Sequence, residues 1–154
     1  MEKIEEIISD HPFFKDFEDR YLEFIIEGTR KTSFDIDEII HLEGGDANYF
    51  YIILDGKVSV ETHDHKQGLI IIQTLGKGDL LGWSWIFPPY RWHFDARALE
   101  KTTALVLDGR RLRIKCEEEH DLGYELIKRV ANIIMERLHA TSLQLLDVYG
   151  MSRD

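Results

Sequence analysis

Between Gly82 and Ala98 the chain reads Gly82-Trp83-Ser84-Trp85-Ile86-Phe87-Pro88-Pro89-Tyr90-Arg91-Trp92-His93-Phe94-Asp95-Ala96-Arg97-Ala98. Six aromatic rings, those of Trp83, Trp85, Phe87, Tyr90, Trp92 and Phe94, fall within twelve positions. Arg91 and His93 stand among them. In one chemistry that fits this spacing, Trp faces stack on a planar or cationic ligand while Arg91 and His93 handle an anionic end. In the other, the rings plug a pocket and complete a core, because a buried aromatic is first of all a large hydrophobic surface. The residues alone leave both open.

A second pair of interest is Thr141-Ser142, two adjacent hydroxyls on an apolar helical stripe. They need partners, either the edge of a ligand or the backbone carbonyl four residues back. His63-Asp64-His65 is the chain's His-x-His pair, of the kind a metal-dependent, cupin-like jelly roll would use. Such a site also needs a Glu a few residues on and another His on a later strand, yet positions 69 and 70 are Leu and Ile. The pair reads as an exposed turn, and no metal ligands are assigned. Cys116, beside Glu117-Glu118-Glu119, has surroundings that raise a thiol pKa and make it a poor nucleophile. Gly-x-Ser-x-Gly, phosphate-loop and His-Glu-x-x-His motifs are absent, so no catalytic residue is assigned and an enzyme is not expected.

Three zones position these groups. Ile4, Ile7 and Ile8, then Tyr21, Leu22, Phe24, Ile25 and Ile26, predict short helices within residues 1–30 around a break at Pro12. From about residue 31 to 115, β-branched and aromatic runs at 39–42, 49–54, 57–62, 69–75, 95–98 and 103–107 alternate with turn residues. Asp55-Gly56 between two such runs is a strong hairpin signal, since both central residues of that turn need positive φ. Short strands at this spacing predict a jelly roll. Residues 119–148 predict one long helix, where Ile127, Ala131, Ile134, Leu138, Thr141, Leu145 and Val148 recur at steps of four and three. That spacing fits either a coiled-coil dimer seam or one broad amphipathic face, and a second stripe of Leu126, Val130, Ile133 and Leu146 is available to face the roll. The mainly β fold with flanking helices is expected to be a single domain over residues 1–154.

Composition narrows the functional classes. The 154 residues suit one domain, and 44% hydrophobic content with one cysteine excludes a disordered chain and a disulfide scaffold. Lys and Arg number 19 against 29 Asp and Glu, a formal charge of -10 that repels a phosphate backbone. Arg110-Arg111-Leu112-Arg113-Ile114-Lys115 sits against the acidic Glu117-Glu118-Glu119-His120-Asp121 and reads as a solvated, self-compensating surface. No run approaches the about 20 apolar residues of a membrane span. The expectation is a cytoplasmic protein that binds neither nucleic acid nor membrane.

The chain resembles the cyclic-nucleotide-binding domain family, the β-roll of catabolite activator-type regulators and of cyclic-AMP-dependent kinase regulatory subunits. The matching pieces are His11-Pro12-Phe13-Phe14, Glu43-Gly44-Gly45-Asp46-Ala47, Tyr51 through Val60 around Asp55-Gly56-Lys57, and Gly76-Lys77-Gly78-Asp79-Leu80-Leu81-Gly82. The resemblance implies a double-stranded β-helix and, after Gly82, a phosphate-binding cassette. There a Glu takes the ribose hydroxyl, an Arg nine or ten residues on takes the cyclic phosphate, and a small residue follows. Trp83 stands at the Glu position; counting back six from Ala98 puts the Arg position on Trp92, with Arg91 one residue early, and counting forward from Trp83 puts it on Trp92 or His93. Arg137-Leu138-His139-Ala140-Thr141-Ser142 is similar to the segment in which catabolite activator-type members contact the purine. Six residues follow Val148, too few for the helix-turn-helix output domain of the transcription-factor branch, so that output is not expected.

The expected function is therefore a stand-alone sensor or adaptor, homodimeric through the C-terminal helix, that signals in trans to a partner protein. Its ligand would be a cyclic nucleotide or another small anionic or planar molecule, held by Gly82, Trp83, Ser84, Trp85, Arg91, Trp92, His93, Thr141 and Ser142; no cofactor is fixed. The competing expectations are a degenerate, ligand-free interaction module and, more distantly, the metal-dependent cupin-like enzyme.

Overall fold

A computed structural model describes residues 3–150. The described residues form two compact units, one through Lys115 and one from Cys116 onward. In the first, α1 (Ile4–Asp10), a 3-10 turn at Pro12–Phe14 and α2 (Asp19–Glu27) precede the strands. The turn starts at Pro12, whose fixed φ suits a first helical position, and the His11 ring caps it by accepting from the Phe13 N–H. Ile8, Phe13, Phe14, Phe17, Tyr21 and Ile25 are the buried faces of these short helices.

The strands are β1 (Thr29–Phe34), β2 (Ile39–His41), β3 (Tyr49–Asp55), β4 (Val58–Asp64), β5 (Gly68–Leu75), β6 (Leu80–Leu81), β7 (Asp95–Ala98) and β8 (Thr102–Asp108). They build two four-stranded sheets ordered β1-β8-β3-β6 and β2-β7-β4-β5, with every pairing antiparallel. Ile53, Val58, Leu75, Leu81 and Ala96 meet in one buried cluster, with Ile40, Tyr51 and Val60 packed against it. Full burial of a side chain of the Val, Leu or Ile class contributes about 1.5–3 kcal/mol, so this cluster is a principal source of the roll's stability. The Asp55-Gly56 turn is present but closes no hairpin: β3 pairs with β6 and β8, and β4 with β5 and β7, so the turn carries the chain from one sheet to the other. Gly56 has φ 114°, and a Cβ there would lie 2.4 Å from the Thr102 hydroxyl.

Three elements differ from the sequence-based expectation. The roll begins at Thr29 rather than near 31, because β1, Thr-Arg-Lys-Thr-Ser-Phe, carries a strand whose apolar signal is almost only Phe34. The two-residue β6 is too short to show periodicity. Residues 109–115, assigned by the sequence to the end of the roll, instead begin a helix, α3 (Gly109–Glu118). Its buried side is narrow, with Leu112 as the buried side chain, so arginines dominate its pattern.

The second unit holds α4 (His120–Val148), starting one residue later than expected, with Glu119 at its N-cap. Leu122, Leu126 and Val130 are buried, and Ile133 and Leu146 are half-buried. The four-and-three stripe is exposed at Ile127, Ala131, Leu138, Thr141, Leu145 and Val148, and half-buried at Ile134. The helix thus has two distinct apolar stripes. Among the described residues no helix is long and apolar enough to cross a membrane.

Candidate functional site

The turn after β6 sets the site. Gly82 has φ +96°, a left-handed conformation that glycine adopts without a Cβ penalty. A Cβ there would meet the Trp92 ring at 2.6 and 2.7 Å. Trp92, 7% exposed, therefore lies directly against the Gly82 backbone. On another side it stacks on His41, with ring centroids 3.8 Å apart and planes 5° from parallel.

Backbone pairing explains why the tryptophan, and not its neighbour, points inward. The Glu43–Ala47 turn runs antiparallel to Tyr90–Trp92: the Gly44 N–H donates to the Trp92 carbonyl at 2.8 Å, the Trp92 N–H to the Gly45 carbonyl at 3.0 Å, and the Ala47 N–H to the Tyr90 carbonyl at 2.9 Å. Arg91 bridges to Asp46 in this ladder. Successive side chains on extended backbone point to opposite faces, so burying Trp92 sends Arg91 outward. Its Nη1 lies 3.0 Å from the Asp46 carboxylate and donates to the Gly44 carbonyl at 3.2 Å, and its side chain is 56% exposed. The guanidinium expected to meet an anion is engaged by the protein's own turn.

The rest of the segment is anchored from below. A 3-10 turn, Ser84–Ile86, carries the fully buried Trp85, which stacks on Phe50 at 4.7 Å. Gly109 receives the indole, since a Cβ at that position would stand 2.8 Å from it. The Trp85 Nε1–H is buried without a hydrogen-bond partner. From α3, Arg113 donates to the Trp85 carbonyl at 2.6 Å and places its guanidinium 3.8 Å over the Tyr90 ring. Tyr90 follows the cis Pro88-Pro89 bond with φ 58°. Ser84 is buried, and its hydroxyl sits 3.2 Å from Nδ1 of the exposed His93. Trp83 is half-buried.

The structure thus brings Gly82, Trp83, Ser84, Trp85, Arg91, Trp92 and His93 onto one loop, with Trp92 at its centre and Arg91 on its outside. Thr141 and Ser142 are exposed on α4, in the second unit, and the Ser142 hydroxyl donates to the Leu138 carbonyl at 2.9 Å. His63 and Asp95 form a contact of 3.4 Å at the edge of the β4–β5 hairpin. Among the described residues no group of three or more His, Cys, Asp or Glu could hold a metal ion. Burial, with Glu117 adding to it, pushes the Cys116 thiol up to about 11, so thiolate is scarce at neutral pH.

Three residues absent from the sequence-based site matter here. Arg97, in β7, donates to both Glu61 oxygens at 3.0 and 3.2 Å and to Asp37 at 2.7 Å. Those bonds raise its pKa and leave it committed within the sheet. Arg113 is the second. The third is His41, both of whose ring nitrogens are buried without a hydrogen-bond partner. Burial pushes it down to about 4, against the opposing influence of the Phe94 backbone and the Asp95 carboxylate.

The His41 shift sets a pH dependence. Unfolded chains carry this imidazole at about 6.5, so between that value and about 4 the unfolded state binds more protons than the folded one. The contribution of neutral His41 is fully present above pH 6.5 and is lost as pH falls toward 4, on the order of 3 kcal/mol in total. Urea unfolding at pH 7.5 and 4.5 should show a loss that His41→Phe substantially reduces. Equal pH sensitivity of both proteins would rule out His41 as its source.

Comparison with known proteins places these features in a family. A sequence model described as the cyclic nucleotide-binding domain matches residues 31–119, more than half of the chain. No curated protein matches the chain. Among solved structures, one of a Geobacter metallireducens GS-15 protein assigned to cyclic nucleotide binding is similar with TM-score 0.80 and 26% identity, over 90% of this chain and 100% of that one. A cyclic nucleotide-binding domain from Methylobacillus flagellatus KT follows at TM-score 0.76 and 21% identity, covering 94% and 81% of the two chains. The regulatory subunit of a cAMP-independent protein kinase A from Trypanosoma brucei has TM-score 0.71 and 19% identity, over 91% of this chain and 49% of that one. That form carries three substitutions, one of them introducing an arginine, and is bound to cAMP. With its two four-stranded sheets, glycine turns and matching segment, this chain belongs to the cyclic nucleotide-binding domain family.

Proposed function

We propose that this domain is a regulatory sensor or adaptor whose cassette does not take cyclic AMP in the family's manner, and that it signals, as a homodimer through α4, to a partner protein. One observation carries the reading: Trp92 lies against Gly82 at the position where the family pattern calls for the phosphate-binding arginine. An uncharged indole offers one donor and no charge, whereas a cyclic phosphate in a partly dehydrated site needs charge-assisted donors. Arg91 and Arg97 are engaged by carboxylates, and His41, with its lowered pKa, is neutral at pH 7. The Trypanosoma brucei subunit supports the same logic, since a member of this fold described as cAMP-independent is seen with cAMP in an arginine-gaining form. The exposed four-and-three stripe on α4 supports the dimer, being the spacing of a coiled-coil seam.

A second reading, a ligand-free interaction module, is favoured by close aromatic packing at two points, Trp92 between His41 and Gly82 and Trp85 between Phe50 and Gly109. Thermal unfolding tests both. Cyclic AMP and cyclic GMP at 1 mM, about a hundred times a 10 µM dissociation constant, would stabilise a conventional binder by about 2.7 kcal/mol. The expected result is no shift with either, and a shift of that size would overturn the proposal. A stabilising non-nucleotide ligand would favour the sensor over the ligand-free module. Sedimentation velocity on the same sample should give a dimer that Leu138→Glu dissociates; a monomeric wild type would remove the α4 seam.

A further inference from the structure

We infer that α3 carries a built-in latch, Arg113, that holds the start of this helix on the cassette loop without any ligand. The inference rests on the regulatory reading above only in treating the cassette as the element whose state is read out. One guanidinium makes two different contacts, a hydrogen bond to the Trp85 carbonyl at 2.6 Å and a cation–π contact 3.8 Å from the Tyr90 ring. These residues lie at either end of the loop that carries Pro88-Pro89, so one side chain from outside the loop closes it.

Both contact points are themselves held. The Tyr90 N–H donates to the Phe87 carbonyl at 2.8 Å, and its carbonyl accepts from Ala47 at 2.9 Å, which fixes the residue in its left-handed conformation. Trp85 is clamped between Phe50 and Gly109. The other side of α3 is bound as firmly. Arg111 lies 3.6 Å over the Phe24 ring, donates to the Phe24 carbonyl, and pairs with Glu27 at 2.9 Å. At the helix start, the Arg110 N–H donates to the Asn48 carbonyl at 3.0 Å. The basic run that reads in sequence as solvated surface is thus divided, Arg111 holding α2 and Arg113 holding the cassette. The cation that closes this loop comes from the helix and binds protein, so α3 is docked before any ligand arrives. A trigger would then act by taking the Tyr90 ring or the Trp85 carbonyl away from Arg113.

Hydrogen exchange on the full chain tests the latch, read at the amides of Arg113, Ile114 and Lys115, with β3 and β8 amides as the control for global unfolding. Arg113→Ala should speed exchange in this turn about tenfold while β3 and β8 stay protected. Tyr90→Leu should do the same, and Tyr90→Phe, which keeps the ring, should exchange like wild type. Arg113→Lys should fail to restore protection, because an ammonium lacks the planar fork that both donates and stacks. The double variant Arg113→Ala, Tyr90→Leu should exchange less than the product of the two single effects predicts, since both remove a shared contact. Exchange within twofold of wild type in Arg113→Ala, or full multiplication of the two effects, would overturn the latch. If Arg113→Ala unfolds globally, the Tyr90 pair decides alone: equal exchange in Tyr90→Leu and Tyr90→Phe overturns it. Slowing of wild-type α3 exchange by cyclic AMP would overturn the functional reading instead and leave the latch standing.

Discussion

Trp85→Ala is expected to cost about 3–5 kcal/mol of folding stability, among the largest effects of a single truncation in this chain. The residue is fully buried, its ring is stacked on Phe50, and Gly109 has no side chain with which to fill the space left behind. Removing the indole therefore deletes apolar burial and leaves a cavity between the Phe50 ring and the Gly109 backbone, which has no side chain to move into it. For a chain of this length such a loss lowers the melting temperature by roughly 10 °C or more. Trp85→Phe separates the causes. It keeps a ring against Phe50 and removes an N–H that is buried without a partner, whose desolvation alone costs about 1–3 kcal/mol. Phenylalanine should recover more than half of the alanine loss. A Trp85→Ala penalty under about 1 kcal/mol would show that the site collapses freely and that Gly109 is not kept bare for this indole.

Trp85 also shows which parts of the site were legible in sequence. Glycine turns carry their own reason, since Gly56 and Gly82 occupy left-handed backbone that any reading of Asp-Gly and Gly-x-Gly-Asp turns anticipates. The roll follows from those turns and from the β-branched runs between them, but its strand pairings do not, since Asp55-Gly56 joins β3 and β4, which lie in different sheets. The aromatic density after Gly82 was visible, but its partners were not. His41 meets Trp92 across fifty-one positions, and Gly109 meets Trp85 across twenty-four, contacts that only the sheet order creates. Arg91 stands for the reverse difficulty: its type and place suggested an anion site, and a one-residue alternation of the backbone decided that it faces outward to Asp46. Arg111 and Arg113 likewise read as surface charge because nothing local says that a carbonyl and an aromatic ring await each of them.

The same alternation predicts how a cyclic-nucleotide site is restored. Trp92→Arg keeps the inward position and exchanges an indole against Gly82 for a guanidinium with paired donors, while His93→Ala clears the next side chain. Trp83→Glu supplies the carboxylate that the family pattern places on the ribose hydroxyl. A hydrogen bond to a charged group contributes about 1.5–3 kcal/mol, or about 10- to 150-fold in affinity, and the arginine and glutamate each add at least one. The triple variant should bind cyclic AMP at least about a hundredfold more tightly than wild type, measured by calorimetry at fixed salt. Trp92→Arg alone should show part of the gain and Trp83→Glu alone almost none, since a second acceptor in an already acidic chain offers nothing to a phosphate. The new guanidinium should also hold His41 neutral, because two adjacent cations disfavour each other. A folded triple variant that still ignores cyclic AMP would mean that Trp92 is not what excludes the nucleotide. The exclusion would then lie in the backbone of the Gly82 turn and the loop that Arg113 closes, where no exchange of side chains at 83, 92 and 93 can reach it.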